Sequence, residues 1–299
     1  MSYIIGIDAG GTKTKGLILT DNKEILFEAD AGYGNPNIDF EGAIANISEV
    51  LSICLSSPFG SQCHLVVVGV AGIEAGNNRE RIHQSLKQAV NIPIILINDA
   101  VLAYHSIFEL GDGVLTIAGT GSISYGRNED AEKYAGGWGH LLGDEGSSYD
   151  VAIQACKQMI KEKEFGDHYS PLSLAFFKEL NIHDAEQLKG FIYRATKGEI
   201  ASLSYIVFLQ AEEGNKEAKD IFERAGIDLA NQTLRLIKNL KLTSPLSVGC
   251  KGSLLEKNKY VQEAFKSELN KYVESINFLE SNNLPATGAY AAAKLYKPL

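Results

Sequence analysis

Two stretches of this chain follow one plan: Ile4-Ile5-Gly6-Ile7-Asp8-Ala9-Gly10-Gly11-Thr12-Lys13-Thr14-Lys15-Gly16 and Val114-Leu115-Thr116-Ile117-Ala118-Gly119-Thr120-Gly121-Ser122-Ile123-Ser124-Tyr125-Gly126. Each reads as an apolar strand, a tight turn rich in Gly and Thr, and a second strand. Two unrelated hairpins satisfy this pattern. So do two copies of one α/β unit, whose turns would then lie across a cleft. A turn crowded with glycine leaves backbone N–H groups open and lets a ligand approach closely, as phosphate-cradling loops do without a large basic patch. On that second reading the two turns grip a nucleotide from both sides.

Apolar runs rich in β-branched residues recur at 3–8, 16–20, 24–27, 65–71, 92–98 and 114–118, with helical spacing between some of them at 40–54 and 78–89. Strands alternating with helices predict an α/β fold containing parallel strand pairs. Beyond them, 149–163, 173–180, 202–211 and 216–240 read as amphipathic helices, a strand restarts near Leu246, and a last helix covers 287–296. The 299 residues suffice for one large or two medium domains. Lys and Arg number 28 against 37 Asp and Glu, a formal charge of −9, and no basic run occurs. Nucleic-acid binding, which needs clustered cations, is therefore not expected. No apolar stretch approaches the ~18 residues of a membrane helix, and the N-terminus lacks the features of a signal peptide, so no membrane association is expected. Cys54, Cys63, Cys156 and Cys250 are scattered without a Cys-x-x-Cys pair, which fits a reducing cytoplasm better than a zinc knuckle or a disulfide framework.

Several common sites are absent. There is no Gly-Lys dipeptide and hence no Gly-x-x-x-x-Gly-Lys-Ser/Thr loop, no Gly-x-Gly-x-x-Gly opening a helix, no His-Glu-x-x-His and no Gly-x-Ser-x-Gly. Carboxylates at strand ends remain. Asp8 directly precedes the first turn, where it either caps the turn or holds a hydrated Mg²⁺ beside phosphates. Asp99 follows the strand ending at Asn98 and precedes a helix. It is either an N-cap or, since ligands bind beyond the carboxyl ends of strands in α/β sheets, a general base. The segment Gly136-Gly137-Trp138-Gly139-His140-Leu141-Leu142-Gly143-Asp144-Glu145-Gly146-Ser147-Ser148 gathers five of the 29 glycines around the only Trp. It suits a hydroxyl-rich ligand such as a sugar, or else an irregular loop with a packed Trp. His140 is read as packing locally, and Arg127 and Lys133 as solvated.

Five motifs occur in order: Asp8-Ala9-Gly10-Gly11-Thr12-Lys13-Thr14, Asn98-Asp99-Ala100, Ala118-Gly119-Thr120-Gly121-Ser122, the Gly-Gly-Trp-Gly-His…Gly-Asp-Glu-Gly-Ser run, and Gly249-Cys250-Lys251-Gly252-Ser253. Together they resemble, over nearly the whole chain, the sugar-kinase branch of the actin, heat-shock-70 and hexokinase superfamily. The resemblance is specifically to the N-acetylglucosamine kinase group of the BadF/BadG/BcrA/BcrD ATPase family. It implies two ribonuclease-H-like domains flanking a nucleotide and sugar cleft, 1–113 with 287–299 and 114–286, the second with a helical insertion. It further implies ATP and Mg²⁺ as cofactors and phosphorylation of an amino sugar, N-acetylglucosamine first. Glucosamine or N-acetylmuramic acid as acceptor, or a non-catalytic sugar or nucleotide sensor, are the alternatives. Carried over by motif, Asp99 accepts the sugar hydroxyl proton and Asp8 places Mg²⁺. Gly10, Gly11, Thr12 and Lys13 with Gly119, Thr120 and Gly121 hold phosphates, and Gly252 and Ser253 lie against the adenosine. Asn35, Asp99, Gly137, Trp138 and Asp144 contact the sugar. The family's habit implies a homodimer, in the reducing cytoplasm that the cysteines suggest. Asn35 departs from the mammalian-type context by sitting in Asn-Pro-Asn, and 170–240 matches no motif. The family's dehydratase activators bind an iron–sulfur cluster through cysteines; here the cysteines lie in or beside apolar runs, which disfavours that branch.

Overall fold

A computed structural model describes residues 2–298 and divides the chain into two units, one running to Gly111 and resuming at Glu280, the other Asp112–Leu279. The first unit contains β1 (Tyr3–Ala9), β2 (Thr14–Leu19), β3 (Ile25–Ala31), α1 (Phe40–Ser56), β4 (Cys63–Val70), α2 (Asn78–Ala89), β5 (Ile94–Asn98) and α3 (Asp99–Phe108). Its sheet has the order β3-β2-β1-β4-β5, antiparallel among β1, β2 and β3 and parallel among β1, β4 and β5. The parallel strands are covered on both faces, which is why they read as unbroken apolar runs. Ile5, Ile7, Val66 and Val68 join Ile47, Val50 and Leu51 of α1 in one core.

The second unit contains β6 (Gly113–Ala118), β7 (Ser122–Asn128), β8 (Ala131–Gly136), α4 (Ser148–Phe165), α5 (Pro171–Leu180), α6 (Leu188–Ile192), α7 (Lys197–Ser202), α8 (Ser204–Glu212), α9 (Lys216–Leu240), β9 (Leu246–Lys251), α10 (Ser253–Lys257), α11 (Lys259–Asn270) and β10 (Ile276–Leu279). Its sheet order, β10-β9-β6-β7-β8, repeats the first sheet with β6 in the place of β1. The two Gly/Thr hairpins thus open two copies of one ribonuclease-H-like strand order, and the reading as unrelated hairpins falls. Helices α4 to α9 are inserted between β8 and β9. The core of the second unit joins Phe176, Phe222 and Leu229 of these helices and Phe265 of α11 to Val114 of β6 and Val248 of β9.

Several local expectations change. β3 continues to Ala31 because Lys15 on β2 pairs with Glu28 at 2.7 Å and Asp30 at 3.2 Å, so charged residues continue the ladder. The helix expected over 202–211 is α8, which starts at Ser204 and ends at Glu212, and a separate α7 precedes it across Leu203. β8, β10 and α11 were not anticipated; β8 is an edge strand with Glu132 and Lys133 exposed, so it lacks the apolar signature. Arg127, expected in solvent, is buried: its Nη2 donates to the Glu129 carbonyl at 2.6 Å and its Nε lies 3.7 Å from Glu132. The chain returns to the first unit ahead of the expected 287, because Asn283 already donates to the Ser106 carbonyl at 2.9 Å. A last helix, α12 (Ala289–Leu295), follows. Cys54, Cys63 and Cys156 are free thiols. Burial pushes Cys54 and Cys156 up to about 12 and Cys63 up to about 11, so they stay protonated. No helix among the described residues is long and apolar enough to cross a membrane.

Candidate active site

The first turn is built by backbone. The Gly10 amide donates to the Lys13 carbonyl at 3.0 Å, and the Gly34 amide donates to the Gly10 carbonyl at 2.8 Å, which ties the Asn35 loop to the turn. Gly11, Thr12 and Lys13 are exposed. Asn35 Oδ1 accepts the Asn37 amide at 2.9 Å, and Asn78, itself buried, donates to Asn37 Oδ1 at 3.0 Å and to the Gly72 carbonyl at 3.1 Å. Asp8 stands at the end of β1, in register with Gly69 of β4. A Cβ on Gly69 would come within 3.3 Å of the Asp99 Cα, so the strand between the two aspartates presents no side chain there.

Burial raises both carboxyl groups, and the charge of Asp99 adds to the shift of Asp8. Burial, and then the neighbouring charge of Asp99, push Asp8 up to about 7, partly offset by Lys13. Burial pushes Asp99 up to about 6 against the amides of Ala100 and of Asp99 itself, which pull it down. Asn98, not Asp99, caps α3: its Oδ1 accepts the Ala100 amide at 2.9 Å. The N-cap reading of Asp99 is therefore replaced, since Asp99 is the first helical residue and its carboxylate is not the cap. No turn amide among the described residues donates to the Asp8 carboxylate, so its reading as a turn cap also lacks support. A carboxylate titrating near 6 is ionised at neutral pH and basic enough to take an alcohol proton as that proton becomes acidic in a transition state. The same pair fits a Mg²⁺ ion, because both groups gain from a cation and offer the hard oxygen donors it takes. No cluster of three or more His, Cys, Asp or Glu among the described residues would cage a metal, so phosphate and water oxygens would complete the shell.

The second turn is laced from several directions. Ser122 Oγ donates to the Glu145 carbonyl at 2.8 Å, the Ser122 amide to Asp144 Oδ1 at 3.2 Å, and the Ser148 amide to the Gly119 carbonyl at 2.9 Å. The Gly137 amide donates to the Ser122 carbonyl at 3.0 Å. Gly252, with φ +91°, lies so close to the Ala118 backbone that a Cβ there would collide with its carbonyl. The structure thus gathers Gly119, Thr120, Gly121, Gly137, Asp144 and Gly252, with exposed Ser253 following. Asp144 is buried and ion-paired with Lys197 at 2.6 Å. Trp138 is 74% exposed, which removes the packed-Trp reading of its loop. His140 is exposed and meets the Tyr149 ring edge-on at 4.9 Å. Lys197, which pairs with Asp144, and Asn78, which reaches the Asn35 loop through Asn37, lie in no motif of the sequence.

Residues 5–293 match the model of the BadF/BadG/BcrA/BcrD ATPase family. An N-acetylmuramic acid/N-acetylglucosamine kinase of Clostridium acetobutylicum is 30% identical, over 98% of this chain and 99% of its own. An N-acetyl-D-glucosamine kinase of Dictyostelium discoideum is 27% identical, over 79% of this chain and 78% of its own. Among solved structures, a provisional N-acetylglucosamine kinase from Chromobacterium violaceum superposes with a TM-score of 0.76 at 21% identity, covering 97% of this chain and 98% of that one.

Proposed function

The chain belongs to the BadF/BadG/BcrA/BcrD ATPase family, and from that membership we propose that it is a sugar kinase that moves the γ-phosphoryl of ATP to the 6-hydroxyl of an amino sugar, N-acetylglucosamine first. The observation that carries the reading is Asp99, a carboxylate at the end of β5 whose pKa is pushed up to about 6 beside Asp8. As the sugar oxygen attacks the γ-phosphorus, its proton passes to Asp99, the bond from that phosphorus to the bridging oxygen breaks, and ADP leaves. Thr12, Thr120 and the backbone of Gly11 and Gly121 hold the phosphates, in turns that the Gly10 and Gly119 amides close on the Lys13 and Gly121 carbonyls, so positioning and charge stabilisation supply most of the catalysis. When bound, Mg²⁺ neutralises phosphate charge and orients the transferring group; Asp8 would hold it through the metal's water shell. Asn35, Gly137, Trp138 and Asp144 contact the amino sugar, and Gly252 and Ser253 lie against the adenosine. We also infer a cytoplasmic homodimer, which light scattering would read as twice the protomer mass.

The test is ADP release with N-acetylglucosamine, N-acetylmuramic acid, glucosamine and glucose as acceptors. N-acetylglucosamine is expected to give the highest kcat/KM, and ADP release unaffected by any sugar would refute the reading. Asp99→Asn should lower kcat by ~10²–10⁴ with ATP and sugar affinity within a few-fold, the range for losing a positioned base. In the unaltered enzyme, kcat/KM should fall as pH drops through about 6, because protonated Asp99 cannot accept the proton.

A further inference from the structure

Resting on that kinase reading, we propose that Lys197 is the cation of the second phosphate turn: its ammonium, stationed on Asp144 beside Gly121, takes a phosphate oxygen of the bound nucleotide. The first turn carries its own cation in Lys13, whereas Ala118-Gly119-Thr120-Gly121-Ser122 contains none. Lys197 reaches that turn from the start of α7, its Nζ 2.6 Å from Asp144 Oδ2. The approach lies off the hydrogen-bonding direction, since that buried oxygen has no hydrogen bond among the described residues. An ammonium has three donors, and those of Lys197 stay available for a ligand. The lysine side chain is 32% exposed while its carboxylate partner is 4% exposed, so the pair presents a cation outward from a buried anchor.

Gly121 supports the same assignment. A Cβ there would sit 2.7 Å from Lys197 Nζ and 3.0 Å from both Asp144 carboxylate oxygens. Its φ is outside the left-handed region, so what the position requires is the missing side chain, which clears the path of the ammonium. A Cβ on Gly119 would meet nothing within 4 Å, which leaves the space beside the turn open. Asp144 also accepts the Ser122 amide, so one carboxylate fixes both the turn and the cation.

Lys197→Met leaves Asp144 buried without its cation, so it is compared with Lys197→Arg and with the double variant Asp144→Asn, Lys197→Met. The probes are ADP and adenosine, read by calorimetry without turnover. In both Met variants the ADP Kd should rise about tenfold or more, as for a lost charge-assisted contact, while adenosine changes by less than about twofold. Lys197→Arg should restore ADP binding to within about threefold, because the charge is kept. In Lys197→Met the KM for ATP should rise and that for N-acetylglucosamine should not. Unchanged ADP affinity in a Met variant with wild-type Tm overturns the proposal, and so does a loss shared equally by adenosine. A defect confined to N-acetylmuramic acid also overturns it, placing Lys197 on the sugar carboxylate instead. A wild-type chain that binds no ADP removes the kinase reading, and this proposal with it.

Discussion

Asp8 is held in a place where its charge is unwelcome, and that has a thermodynamic signature. Its pKa of about 7 and that of Asp99, about 6, lie above the ordinary 3.8, so between pH 4 and 7 the folded chain binds more protons than the unfolded one. Stability therefore falls as pH rises through this window and levels off above it. Asp8→Asn mimics the protonated acid. It should raise Tm at pH 8, by the equivalent of roughly 1–3 kcal/mol, leave Tm near pH 4.5 almost unchanged, and impair ATP use. A variant with the same Tm increment at both pH values would show that charge at Asp8 is not the cause. Trp138 offers a second test at this scale, because it is the only Trp and is 74% exposed. N-acetylglucosamine without nucleotide should shift its emission saturably; calorimetric binding with flat emission would take Trp138 out of the sugar contacts. Asp8 and Asp99 were legible because they end apolar strands before a turn or a helix. Arg127 and Lys197 were not, since the burial of one goes with its pairing opposite Glu132 on the unanticipated β8 and the placement of the other depends on Asp144, far along the chain.

At the scale of elements, the junction of β9 and α10 carries the second turn. Gly252 has both a φ of +91° and the Ala118 backbone against it, so Gly252→Ala incurs strain and a collision together. It should destabilise the chain by roughly 1–3 kcal/mol in urea unfolding and raise the KM for ATP, because relief of the collision moves Ala118 and the turn that follows it. A loss of stability with unaltered KM would mean that the strain is absorbed on the α10 side. The strands that were legible, such as β1, β4 and β5, are buried over most of their length and announce themselves as apolar runs. Among the described residues β8 pairs only with β7, and its first four residues are exposed, so its pairing is a tertiary fact. The break between α7 and α8 is likewise hidden in the sequence, since apolar residues continue through it.

For the whole molecule, the cores of the two units share no residue. Phe222→Ala, at a fully buried site in the second core, should cost roughly 3–5 kcal/mol and lower one calorimetric component while leaving the other at its original temperature. A single transition displaced as a block would instead mean that the units melt as one. The doubled strand order was legible from its two turns, whereas the point of return at Glu280 rests on the Asn283 contact and was not. That return has a consequence for synthesis on the ribosome. The second unit is one continuous stretch, Asp112–Leu279, and has every residue it needs before Glu280 is added. The first unit begins earlier yet waits longer, because Ala286 and Ala289, which lie against Gly6 of β1, are made after the whole second unit. Vectorial synthesis should therefore leave β1 partly uncovered until those residues have left the ribosome, so that pulse-labelled nascent chains acquire protease resistance in the second unit before the first.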